Sequence, residues 1–123
     1  MSDNPLMILV AGPYRSGTGD DPEKLQANVD EMTDVALHLF RAGHLGVTGE
    51  ALALPLAERA GSTRPGDPAF DEIFHPVALR LLDRCDAVLR VGGPSAGADQ
   101  MVEHARSTGK TVFHSVDEIP NLG

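Results

Sequence analysis

The chain has no tryptophan, one tyrosine and four phenylalanines, so aromatics make up only 4% of its 123 residues. So thin a supply argues against the stacking platforms by which single-stranded nucleic acids are held. Basic residues are short as well. Ten Lys and Arg against 18 Asp and Glu leave a formal charge of −8, the wrong sign for a phosphate backbone, so no nucleic-acid partner is expected. A single cysteine, Cys85, excludes an intramolecular disulfide. It lies on the apolar side of an expected helix beside Leu81 and Leu82, the setting of a structural thiol rather than a nucleophile. The five histidines are scattered and no Cys/His spacing resembles a zinc site, so neither metal nor cofactor is expected. Long apolar runs are also missing. MSDNPLMILVAG at the N-terminus has no basic n-region and too short an apolar stretch for a signal peptide or a spanning helix; no membrane partner and a cytoplasmic location are expected.

What is present suits one globular domain over residues 1–123, with 41% apolar and 23% charged residues and room for a single core. The run from Leu6 to Ala11 is continuously apolar between Pro5 and Gly12, as in a central parallel strand buried on both faces. A helix should start at Asp21 and Pro22, carry the stripe Leu25, Val29, Met32, Ala36, Leu39 and Phe40, and end at Gly43. A second strand is expected from His44 to Thr48, then a short helix from Ala51 to Ala60, interrupted or restarted at Pro55. The polar stretch from Gly61 to Pro68 has no apolar period and reads as a mobile loop able to cover a pocket. Beyond it, Pro76 suggests one turn from Pro68 and a main helix from Pro76 to Arg84, with Phe74, Val77, Ala78, Leu81 and Leu82 on its buried face.

The stretch DAVLRVGGPSAGADQMVEHA, Asp86 to Ala105, combines a strand (Ala87–Val91), a small-residue loop and a helix whose apolar face is Ala98, Met101, Val102 and Ala105. Such a turn presents free amide N–H groups and the positive end of a helix dipole at one point. A last strand, Thr111–His114, follows Gly109, and a turn around Pro120 closes the chain. The order β-α-β-α-α-β-α-β gives a parallel sheet with helices on both faces.

In such sheets the ligand lies beyond the carboxyl ends of the strands, where strand order reverses. That rule gathers Gly12, Pro13, Tyr14, Arg15, Ser16 and Gly17 after the first strand and Gly92, Gly93, Ser95 and Gly97 after the third. These are the candidate ligand-binding residues. Arg15 offers a planar fork of donors suited to phosphate or carboxylate. The titratable candidates are Glu50, Asp71, His75 and Asp99, with Glu103 as a further one. A carboxylate beside a glycosidic carbon serves as nucleophile or stabilises an oxocarbenium-like centre while a second acid protonates the leaving group. Neither loop carries the P-loop Lys-Ser/Thr or GxGxxG, and no GxSxG elbow is present, which removes NTP hydrolysis, hydride transfer and serine hydrolysis.

VAGPYRSG (Val10–Gly17), Asn28, DAVLRV (Asp86–Val91) and SAGADQMVEHARSTGKTV from Ser95 together resemble the nucleoside 2-deoxyribosyltransferase-like superfamily, in particular its small uncharacterised branch. The likeness covers about residues 6 to 115 and rests on the order and spacing of the set. It implies a Rossmann/flavodoxin-like three-layer sandwich with a parallel four- or five-stranded sheet, a homodimer or larger homo-oligomer, and a nucleoside or nucleotide ligand. It also implies hydrolysis or transfer at an N-glycosidic bond through a glutamate. That glutamate's position is Met101 here, and a commonly acidic position upstream is Ala78. Three readings follow: an N-glycosidase or transferase whose carboxylate has moved to Glu50 or Asp99; a catalytically silent nucleotide-binding or regulatory module; and a hydrolase of other chemistry around Glu50, Asp71 and His75 under the Gly61–Pro68 loop.

Overall fold

The computed structural model describes residues 4–123. Four strands, β1 (Met7–Ala11), β2 (Leu45–Thr48), β3 (Ala87–Arg90) and β4 (Thr111–Phe113), form one all-parallel sheet in the order β2-β1-β3-β4. Four helices flank it: α1 (Pro22–Arg41), α2 (Gly49–Arg59), α3 (Pro68–Arg84) and α4 (Ala96–Ser107). This is the Rossmann/flavodoxin-like α/β sandwich. The period-2 alternation of the central strands sets the layers. Ile8 and Val10 of β1 with Ala87 and Leu89 of β3 pack on Met32 and Leu39 of α1, while Leu9, Ala11 and Val88 face Leu82, Ala98, Met101, Val102 and Ala105 on the other side. The chain steps from β1 outward to β2, then back across to β3 on β1's other edge. Strand order therefore reverses between β1 and β3, and the loops following these two strands flank the reversal.

Two local arrangements fix elements on this frame. A Cβ at Gly46 in β2 would lie 2.8 Å from the Ala36 Cα, so α1 packs directly on the strand backbone. His44, 4% exposed, ties three segments together. Its Nδ1 accepts from the Leu6 N–H at 3.0 Å and its Nε2–H donates to the Pro120 carbonyl at 2.6 Å.

Several expectations need correction. The third helix runs unbroken from Pro68 to Arg84 with Pro76 inside it, instead of restarting there. Both Pro76 and Glu72, whose carbonyl the missing N–H would have met, are exposed, so water can solvate that oxygen. Pro55 likewise sits within an uninterrupted α2, which begins at Gly49 and so takes Glu50 into its first turn. Phe40, assigned to the buried stripe of the first helix, is 67% exposed. Of the expected buried face of α3 only Leu82 is fully covered; Phe70, absent from that expectation, is buried too. The Gly61–Pro68 stretch is stitched down rather than loose. The Asp67 carboxylate accepts from the N–H groups of Thr63, Arg64 and Phe70 and from the Ser62 hydroxyl. Those bonds, led by Phe70's, hold its pKa down at about 2.

Candidate active site

At the reversal point lies a cavity of about 200 Å³ on the α2–α3–α4 side of the sheet. Its floor is the end of β1, Leu9 to Gly12; its sides are the starts of α2 and α4 and the middle of α3. Arg15 and Ser95, contributed by different crossover loops, both line it.

Glu50 is the group with the least ordinary surroundings. It is 8% exposed, and among the described residues its Oε2 has no hydrogen-bond partner. The fold puts it there because Thr48, still extended, caps α2 by accepting from the Ala51 N–H at 3.2 Å, and the helix turns inward at once. Gly49 lets that turn seat against α3, since a Cβ there would come within 3.0 Å of the Ala78 Cβ. Burial pushes the Glu50 carboxyl up to about 7, against the weaker pull of its own backbone N–H.

One wall is aromatic. Tyr14, Phe70 and Phe74 stack, with ring centroids 4.5 Å apart for Phe70–Phe74 and 5.2 Å for Tyr14–Phe74. Three of the five aromatic rings in the chain are thus committed to this cavity. Burial raises the Tyr14 phenol, and the nearby Glu50 charge adds to the effect. Asn28 of α1 fixes the loop by donating to the Tyr14 carbonyl at 2.8 Å. His75 joins the lining one turn along α3 from Asp71, which is exposed and outside it.

The expected ligand residues divide between two places. Gly12, Tyr14, Arg15, Ser16, Ser95 and Gly97 line the cavity. Pro13, Gly17, Gly92 and Gly93, with Ser16 shared, border a separate depression beside Asn28 and Glu31. Ser95 caps α4, its hydroxyl accepting from the Ala98 N–H at 3.1 Å. Asp99 stands outside the cavity, its side chain 70% exposed and paired to the Arg90 Nε at 3.1 Å. Arg90 also donates to the Gly93 carbonyl at 2.8 Å, so Asp99 belongs to a clamp on the glycine loop. Met101 lines the cavity with its apolar side chain.

Sequence reasoning passed over Phe70 as a site residue, although its distance of four from Phe74 put both on one helix face. It also passed over Arg90, which reaches from β3 to Asp99 of α4, and Asp20, which pairs with Arg15 across the turn of one loop. No protein-family model matches the chain, and no curated protein matches it. Among the described residues no helix is long and apolar enough to cross a membrane, and no cluster of three or more His, Cys, Asp and Glu is placed to hold a metal.

Proposed function

We propose that this protein binds a nucleoside or nucleotide in the cavity at the sheet reversal and cleaves, or transfers at, its N-glycosidic bond with Glu50 as the carboxylate. The observation that carries the reading is the buried Glu50 carboxyl with an unpartnered oxygen beside a stacked aromatic wall. The wall suits the flat face of a base. A carboxylate destabilised by burial gains most when positive charge develops next to it, so its interaction with an oxocarbenium-like centre strengthens in the transition state rather than the ground state. His75 is the second proton-transfer group of the pocket and passes a proton to the departing base, while water, or an incoming base in a transfer, forms the new bond at the anomeric carbon and gives up its own proton. Assembly as a homo-oligomer in the cytoplasm belongs to the same reading. The exposed Phe40, Leu45, Leu52 and Leu56 supply apolar surface for self-association.

The test is release of free base from a panel of nucleosides and nucleotides, followed by chromatography. Turnover should rise with pH through about 7 as Glu50 ionises. It should disappear in Glu50→Gln and survive Asp99→Ala. The silent-binder reading keeps a specific support in Met101, an apolar side chain where the resembled family has its glutamate. Saturable binding without base release from any substrate would establish that reading and end the enzymatic one.

A further inference from the structure

Resting on the nucleoside reading of the cavity, we infer that the site takes the unphosphorylated nucleoside, and that Asp20 is the residue that turns the phosphorylated form away. Arg15 has the fork that would hold a phosphate, but the fork is occupied. Its Nε donates to Asp20 Oδ1 and its Nη2 to Asp20 Oδ2, both at 2.9 Å, the two-pronged geometry in which a phosphate would otherwise be held.

The loop is built to hold this pair. The Thr18 hydroxyl, on a buried residue, donates to the Arg15 carbonyl at 2.6 Å and accepts from the Asp20 N–H at 3.1 Å. That bridge folds the turn back on itself and leaves Asp20 with φ of 60°, the one non-glycine positive φ among the described residues. An aspartate tolerates this conformation better than most side chains, yet glycine would suit it more. On its other flank the guanidinium rests against Gly66, where an added Cβ would come within 2.9 Å of both Nη1 and Nη2. The ring of Phe70 lies 5.9 Å away. The charge of Asp71 also bears on Arg15. A phosphate entering here would have to displace the half-exposed Asp20 carboxylate from the fork, with the charge of Asp71 also bearing on it.

The other anion-binding feature of the site, the N-terminus of α4, has its Ala98 N–H taken by Ser95, while Asp99 in its first turn is paired to Arg90. The arginine fork is thus engaged, and the helix end has one of its amides satisfied. The cavity between them offers the aromatic wall and the Glu50 carboxyl, which suit a flat base and a hydroxylated sugar.

The deciding experiment is titration calorimetry with the common nucleosides, their 5′-monophosphates and inorganic phosphate, on the natural protein, Asp20→Gly and Asp20→Asn. Both variants suit a positive φ, so the loop keeps its shape while the carboxylate is lost. The natural protein should bind a nucleoside at least tenfold more tightly than its monophosphate, on the order of what one misplaced charge costs near a protein surface. Asp20→Gly should shrink that preference by about tenfold through gain of monophosphate and inorganic phosphate affinity, with nucleoside affinity nearly unchanged. Tighter binding of the monophosphate by the natural protein overturns the inference while leaving the nucleoside reading intact. An unchanged preference in both variants overturns the role of Asp20. Failure of every nucleoside and monophosphate to bind overturns the nucleoside reading and this inference with it.

Discussion

Replacing Glu50 with glutamine should make the protein progressively more stable, relative to the natural protein, as pH rises from 4.5 through 7. The carboxyl titrates near 4.5 in an unfolded chain and at about 7 in the folded protein. Below 4.5 both states hold the proton, and ionisation does not bear on stability. Between 4.5 and 7 the unfolded chain releases the proton while the folded protein retains it, so stability falls as pH rises; above 7 the loss is complete. At about 1.4 kcal/mol per pKa unit, the full loss is about 3 kcal/mol. Glutamine has nearly the same shape and never ionises. Any constant penalty for its unpaired amide shifts the variant equally at every pH, and other titrating groups cancel in the comparison. Urea unfolding of both proteins at pH 4, 5, 6, 7 and 8 gives the difference directly. The gap in favour of Glu50→Gln should widen by about 3 kcal/mol across the series, most of it before pH 7. A gap that stays constant within about 0.5 kcal/mol, or narrows with pH, would refute the claim that burial controls this carboxyl.

Other substitutions probe the frame that holds the site. His44→Phe strands the Leu6 N–H and the Pro120 carbonyl, and urea unfolding should show a loss of about 3 kcal/mol; a loss under about 1 kcal/mol would mean that water replaces both bonds. Gly46→Ala forces a Cβ onto the α1 backbone at Ala36 and should cost about 1–3 kcal/mol by the same assay, with no change if the helix can slide. Asp67→Ala removes the acceptor that gathers Ser62, Thr63, Arg64 and Phe70, so limited proteolysis should cut within residues 61–67 much faster. In the natural protein the same loop should open only as pH falls from about 4 towards 2, because the depressed carboxyl keeps its charge until then; cleavage that begins near pH 6 would point to another group.

The order of strands and helices was readable because each apolar run had a glycine or proline within two residues of at least one end and each crossover was long enough for a helix. The location of the cavity followed from that order alone. Prolines misled where their setting was decisive: Pro55 and Pro76 mark breaks in a linear reading, yet both sit on solvent-facing sides of their helices. Asp99 drew attention because it follows the glycine loop, but α4's rotation turns it outward to Arg90, a partner nine residues back that no local pattern announces. Glu50 stood out only as an acid after a strand. Its burial depends on α2 beginning one residue after Thr48 and on Gly49 meeting Ala78, contacts between elements that sequence periodicity does not encode. The Arg15–Asp20 fork was hidden for a related reason, since a turn with positive φ at residues 17, 19 and 20 is needed to bring the two together.

The most direct test of a single ligand pocket lined by Glu50 is an amide NMR titration of the folded protein with a panel of nucleosides. The account predicts that one of them shifts the amides of Tyr14, Glu50 and Gly97 together with one saturation curve, although these residues come from three separate segments of the chain. Shifts confined to the Pro13–Gly93 depression, or none with any nucleoside, would contradict it.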